Sequence, residues 1–292
     1  MNYPETLSWI HGTERFGSRL GLGRMGRLLH RMGDPHLRVP YIHVAGTNGK
    51  GSTTTMIASA LTAGGFKTGK FISPFILEFR ERMQIDGEMI PEETLAALAT
   101  RLFPIAEEFK AAGDPPTEFE LVTVLGLTWF AEAGCDIAVL EVGLGGRLDA
   151  TNIIPAPLVA VITRIDYDHT AILGDTLAAI AGEKCGIIKR GSTVVSYPDQ
   201  AEEALTVIRR RAAEEQDSLC LPEPAQLSVL SSDLSGSHIR YKGQEVFVPL
   251  AGPHQILNAA TAMEALEALS GSRFALPPAA VAAGIAAARF PA

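Results

Sequence analysis

The sequence predicts an α/β fold: a P-loop-type, largely parallel sheet covered by helices on both faces, with a small antiparallel meander near the C-terminal end. Three observations carry this expectation. Short apolar runs alternate with segments whose apolar residues recur at helical spacing, the pattern of parallel strands joined by crossover helices. The first such run, Tyr41 to Ala45, passes through a glycine-rich turn directly into a helical segment. From Leu227 to Leu250 the pattern changes to short alternating runs with Gly236 and Gly243 between them, which reads as hairpins.

In chain order, Tyr41 to Ala45 is an apolar strand, and Met56, Ile57, Ala60 and Leu61 mark the apolar face of the helix that follows it. Further strands are expected at Thr68 to Ser73, Asp136 to Val142, Leu158 to Thr163 and Thr193 to Ser196. Helical spacing runs through Glu92 to Ala112, Glu118 to Ala133, Thr176 to Ile188 and Asp199 to Glu215. After the meander, Pro253 to Leu269 and Pro278 to Ala288 form a last pair of helices. The sequence contains neither an internal repeat nor a low-complexity linker.

With 292 residues, 47% of them hydrophobic, the chain is long enough to bury a substantial core in one large or two ordinary domains. The opening MNYPETLSWIHG lacks the basic and apolar regions of a signal peptide, and the longest apolar run, Leu121 to Ala131, is too short to span a bilayer. Cys135, Cys185 and Cys220 are odd in number and show no metal-site spacing, so they read as small buried side chains suited to a reducing cytoplasm. A net charge of −8 argues against a nucleic-acid surface, and Arg209-Arg210-Arg211, set among Glu202, Glu203, Glu214 and Glu215, reads as a solvated helix face. Neither a nucleic acid nor a membrane is therefore expected as a partner.

The segment Gly46-Thr47-Asn48-Gly49-Lys50-Gly51-Ser52 has the makings of a phosphate cradle. Glycines let backbone approach a ligand closely, helix N-terminal amides favour an anion, and a lysine adds full positive charge. The fit to the common P-loop pattern is incomplete. Val44 stands where the first glycine would be, and Gly51 separates Lys50 from Ser52.

Other chemistry-bearing residues fall at the carboxyl ends of expected strands, where open parallel sheets bind ligands. Glu141 ends an otherwise apolar strand, which calls either for a divalent cation or for hydrogen bonds from loop amides. His169, after Asp166 and Asp168, is either a metal ligand or part of a capping turn with Thr170. Ser73 ends another strand. Lys184 shares a helix face with Leu177, Ile180, Ala181, Ile187 and Ile188, so its amine is either desolvated and able to take up carbon dioxide as a carbamate, or it snorkels to water. The glycine-rich GLGGRLDATN reads as a loop offering Arg147 and Asp149 for polar recognition. Thr117-Glu118-Phe119-Glu120 reads as a helix cap with acidic first-turn residues.

The shortened G-T-N-G-K-G-S-T turn resembles the Mur ligase superfamily and, within it, the folylpolyglutamate synthase/dihydrofolate synthase family. Also similar are ISPFILEFRERMQIDGEMI (Ile72 to Ile90), TEFE (Thr117 to Glu120), EVGLGGRLDATN (Glu141 to Asn152), DHT with GEKCGIIK (Asp168 to Lys189) and, more weakly, GPHQILNAATAMEAL (Gly252 to Leu266). They cover nearly the whole chain in family order. The resemblance implies an ATP-dependent ligase that adds L-glutamate to a folate or dihydropteroate carboxylate through an acyl phosphate. It implies that Gly46, Thr47, Asn48, Gly49, Lys50, Gly51, Ser52 and Asn258 hold ATP, and that magnesium (Mg2+) lies between Ser73, Glu141 and His169. Lys50, Lys184 and His169 would be catalytic, with Lys184 carbamylated. Thr117, Glu118, Phe119 and Glu120, together with Arg147, Leu148, Asp149 and Ala150, would border the pterin-bearing substrate. Phe75 departs from the histidine that many relatives carry after S-P, which leaves acceptor preference open.

The resemblance also implies that residues 1–288 are a Mur-ligase-like ATP-binding domain and that residues 289–292 begin the linker to a C-terminal domain, which completes the nucleotide and glutamate sites in relatives and would otherwise act in trans. The alternatives are a noncatalytic nucleotide-binding module and a Mur-type ligase for a peptidoglycan precursor.

Overall fold

In the computed structural model, which describes residues 1–13 and 21–289, the sheet is built around a strand that is buried along its whole length. Helices α1 (Tyr3–His11) and α2 (Leu22–Arg31) precede this strand, β1 (Tyr41–Ala45). There follow α3 (Lys50–Ala63), β2 (Thr68–Phe71), β3 (Met83–Ile85), β4 (Glu88–Met89), α4 (Glu92–Ala111), α5 (Glu118–Glu132) and β5 (Ile137–Glu141). Beyond them lie β6 (Val159–Ile162), α6 (Thr170–Leu173), α7 (Leu177–Lys184), β7 (Thr193–Ser196), α8 (Glu202–Glu215) and β8 (Ser218–Cys220). The meander is β9 (Leu227–Asp233), β10 (Gly236–Tyr241) and β11 (Gln244–Val248), after which come α9 (Pro253–Glu267) and α10 (Pro278–Ala287).

The large sheet runs β4-β3-β2-β5-β1-β6-β7-β8, parallel except at β3 and β4. The chain leaves β1 for β2, returns to β5 beside β1, and then crosses to β6 on the other side. The carboxyl end of β1 is therefore the point where strand order reverses, the place where such sheets open a ligand crevice. Strand alternation divides the core between the two faces. Tyr41 packs with apolar residues of α1, α2, α4 and α5, whereas Ile42 and Val44 pack with α3, α9, α10 and the meander. Ala45 joins a third cluster with α7 and α8.

The expected strands form with ends shifted by one or two residues, and the meander is a separate three-stranded antiparallel sheet. The helix expected to continue to Ile188 stops at Lys184 and tightens into a 3₁₀ turn over Cys185–Ile187. Here Gly186 lies so close to the loop before it that a Cβ would come within 2.3 Å of the Arg147 Cβ. The β3–β4 hairpin, β8, α1, α2 and the short α6 are additions to the expected elements. Cys135 and Cys185 are buried and all three cysteines are free. The arginine run on α8 pairs with Glu202, Glu214 and Glu215, as a solvated face should. Among the described residues no helix is long and apolar enough to cross a membrane. Of the expected linker start, 290–292 lie outside the described residues.

Candidate active site

The glycine turn after β1 is held in shape from the β6 side. Thr47 and Asn48 amides both donate to the Arg164 carbonyl, at 2.8 and 3.1 Å, and the Thr47 hydroxyl donates to the Asp166 carbonyl at 3.0 Å. Gly46 has φ +156°, and a Cβ there would lie 1.8 Å from Thr163 Oγ1. Gly49, at φ +82°, caps α3 in the left-handed region, and a Cβ there would lie 2.4 Å from Asn258 Oδ1. Both positions thus require glycine. No side chain caps α3. The first-turn amides, with the dipole behind them, are available to an anion, and Lys50 begins that turn with its Nζ donating to the Thr47 carbonyl at 3.2 Å.

Next to the turn is a cavity of about 470 Å³ lined by Gly49, Ser52, Arg164, Tyr197, His254 and Asn258 among others. Asn258 is 2% exposed and donates to Gln255 Oε1 at 3.0 Å, so α9 presents it to the cavity as a built element and not as a solvated surface amide. Tyr197 and Arg164, which no sequence pattern singled out, line the same cavity.

Glu141 ends β5 beside Val44 of β1 and is 5% exposed. Its Oε2 accepts from the Ser73 amide at 3.1 Å. Burial pushes its carboxyl up to about 7, against the pull of Lys50. His169 sits at the same edge of the sheet with φ +48°, its ring more than half exposed and its Nε2 3.6 Å from Asp168 Oδ1. Ser73 and Glu141 are therefore brought together, whereas the His169 side chain stands in solvent. Among the described residues no group of three or more His, Cys, Asp or Glu side chains is gathered to hold a metal.

Lys184 is 3% exposed, and its Nζ donates to the Gly46 carbonyl at 2.8 Å. This head group is inside the protein, which removes the snorkelling alternative. Burial and the nearby Lys50 push its amine down to about 8, while Asp168 opposes the shift.

The sequence profile of the Mur ligase middle domain matches residues 44–266. The chain is 40% identical over 283 residues to dihydrofolate synthase/folylpolyglutamate synthase of Bacillus subtilis (strain 168), covering 94% of this chain and 65% of that protein. It is 37% identical over 302 residues to folylpolyglutamate synthase of Lacticaseibacillus casei, covering 100% and 70%. The chain belongs to the folylpolyglutamate synthase/dihydrofolate synthase family of Mur ligases. Its fold superimposes on a solved FPGS–AMPPCP–folate complex with a TM-score of 0.91 and 36% identity, covering 100% of this chain and 73% of that one. The chain thus spans about two thirds of the length of the curated relatives it matches.

In this member of the family, the two segments expected to border the acceptor meet at a second cavity, of about 310 Å³, whose wall includes Ser73, Arg82, Thr117, Phe119, Leu148, Asp149 and Ala150. Several of their polar groups hold the wall itself. Thr117 and Glu120 form a capping box at the start of α5, and Glu120 also accepts two bonds from Arg24 Nε, at 2.8 and 3.0 Å. Asp149 is buried and accepts from the Leu144 and Thr151 amides, at 2.9 and 3.0 Å. Glu118 pairs with Arg82 at 3.6 Å and His11 at 3.2 Å. Arg147 points away from the cavity: it is exposed and pairs with Glu183 at 2.6 Å.

Arg82 was missed as a single residue, although it lies in the segment Ile72 to Ile90. Its guanidinium stands over Phe75 and Phe79, 5.2 and 5.6 Å from the ring centroids, and its Nε is buried without a partner. Both rings lie in the same segment, but the rest of the cavity wall is brought to it by the fold.

Proposed function

We propose that this chain forms the ATP-binding core of a ligase that joins L-glutamate to a folate or dihydropteroate carboxylate. One observation carries the reading most directly. Ser73 lines the acceptor cavity, its amide bonds Glu141, and Glu141 lies in the field of Lys50 at the phosphate turn. A γ-phosphoryl group on Lys50 and a carboxylate in the acceptor cavity would meet at this point. Identity to the Bacillus subtilis enzyme favours the folate branch over a Mur-type ligase for peptidoglycan precursors. Free cysteines accord with a reducing compartment, and the cytoplasm is the proposed location.

In the proposed mechanism, the helix amides and Lys50 orient the β and γ phosphates, and the acceptor carboxylate attacks the γ-phosphorus in line, breaking its bond to the β,γ-bridging oxygen so that ADP leaves. The amino group of glutamate then displaces phosphate from the acyl phosphate. No covalent enzyme nucleophile is required. The site fits magnesium: Ser73 and Glu141 offer the hard oxygen ligands it prefers, and Glu141 is a buried carboxylate with a single amide donor among the described residues and a raised pKa. His169 at the rim is the proposed third ligand. When bound, magnesium would neutralise charge spread over the transferring phosphoryl group.

Lys184 is proposed to be carbamylated. Its neutral amine adds to carbon dioxide and releases a proton, leaving a carbamate N–H that still donates to the Gly46 carbonyl. Because the amine sits at about 8, carbamate should increase as pH rises from 6.5 to 8.5, the range over which the neutral form grows. Carbon-13 bicarbonate labelling should give a carbamate NMR signal that disappears in Lys184→Ala. Persistence of the signal in that variant would assign it elsewhere.

The functional test is incubation of the 292-residue chain with ATP, magnesium, labelled glutamate and either dihydropteroate or a reduced folate, alone and with the C-terminal region of a relative supplied in trans. The chain alone is expected to form little or no amide, because an acyl phosphate needs the incoming amine aligned and water excluded. Amide product in the supplemented reaction supports the ligase reading over a noncatalytic module. Rapid amide formation by the chain alone would contradict the proposed division of labour.

A further inference from the structure

A third cavity, of about 380 Å³, lies between α3, the paired strands β2 and β3, and the end of α10, and it shares no lining residue with the nucleotide or acceptor cavities. Its size is that of a small-molecule site. Gly69 and Phe71 of β2 face α5, where they meet Phe130 and Gly126. Strand alternation therefore turns Lys70 to the opposite face, where it lines this cavity beside Thr55 and its register partner Gln84.

Lys70 is 7% exposed, and among the described residues its ammonium has neither a hydrogen-bond nor an ion-pair partner. The two carboxylates whose fields reach it are engaged elsewhere. Glu141 accepts from the Ser73 amide, and Glu81 accepts from the amides of Ile76, Leu77 and Glu78. Burial pushes the amine down to about 8, the mark of a cation without adequate compensation. Among the described residues Asp86 is the only carboxylate lining the cavity, and its Oδ1 accepts from the Thr68 amide at 2.8 Å and the Thr62 hydroxyl at 3.4 Å. The exposed Arg289 adds a second cation.

We propose that this cavity binds a small carboxylate or phosphate anion, with Lys70 as its buried charge partner and Arg289 at its mouth. An anion there would supply the countercharge that Lys70 lacks, which no cation or apolar ligand does. The site is separate from ATP and acceptor binding, so it stands or falls independently of the ligase reading.

The test is an NMR titration of the 292-residue chain with inorganic phosphate, with succinate, and with sodium chloride at matched ionic strength, following the amides of Thr55, Lys70 and Gln84. Phosphate or succinate should produce saturable shifts, sodium chloride should not, and the tighter of the two identifies the ligand class. The shifts should survive Lys50→Ala, which separates them from phosphate at the nucleotide turn. Lys70→Met should weaken binding by about tenfold or more, as loss of a charge-assisted bond implies. If Lys70→Met does not fold, the exposed Arg289→Gln replaces it, with severalfold weakening expected. An equal response to sodium chloride, no saturable shift in the folded wild type, or unchanged affinity in the folded variant would overturn the proposal.

Discussion

Lys50→Ala is expected to weaken MgATP binding by about tenfold or more, the loss of one or two charge-assisted hydrogen bonds to phosphate. The fold should be retained. The lysine is only half-buried and begins α3, and among the described residues its side chain makes one hydrogen bond, to the Thr47 carbonyl, while the turn is held independently by Arg164, Asp166 and the packing of Gly46 against Thr163. Calorimetric titration, with a thermal melt to confirm folding, checks both halves. Unchanged nucleotide affinity in a folded Lys50→Ala protein would remove this residue from the site.

Glu141→Gln is expected to cost about tenfold or more in magnesium-dependent ATP binding, and much less in nucleotide binding measured with a chelator. The substitution is nearly isosteric and keeps an oxygen to accept from the Ser73 amide, so it removes charge without emptying the space. It should not destabilise the metal-free protein, because the carboxylate it replaces is one whose charged form burial already disfavours. His169→Ala should show the same dependence on magnesium, and its exposed ring makes a folding effect unexpected. Equal losses with and without magnesium would assign Glu141 a structural role and end the metal proposal.

Much of this arrangement was legible because its signals are local. The strand from Tyr41 to Ala45, the glycines at Gly46 and Gly49 and the capping box at Thr117 and Glu120 each involve residues within one turn or one strand of each other. Helical spacing placed Lys184 on the face it shares with Ile180 and Ala181, but only the packing of that face decides that its head group is buried and does not snorkel. The β3–β4 hairpin had a local signal as well: Asp86 and Gly87 take the positive φ angles, +54° and +87°, that an Asp-Gly turn favours.

What sequence reasoning missed depends on contacts between distant segments. Arg24 reaches Glu120 across 96 positions, and Arg82 meets Glu118 and a cavity wall built from distant segments. Arg147 shows the converse. Its loop was correctly read as irregular, but a neighbouring Glu183 on α7 draws the side chain outward, which no spacing within the loop announces. Asn258 was named through the resemblance, but its burial was not legible, because whether a helix amide is solvated or buried depends on what α9 packs against.

The central claim is that the nucleotide site is already formed within these 292 residues, and calorimetric titration of the purified wild-type chain with ATP, with and without magnesium, tests it most directly. The α3 amides, Lys50, Ser73, Glu141 and Asn258 all belong to the described fold. The predicted result is saturable binding of one nucleotide per chain that tightens when magnesium is added and weakens in Lys50→Ala. A folded chain that gives no saturable heat with MgATP would contradict the account.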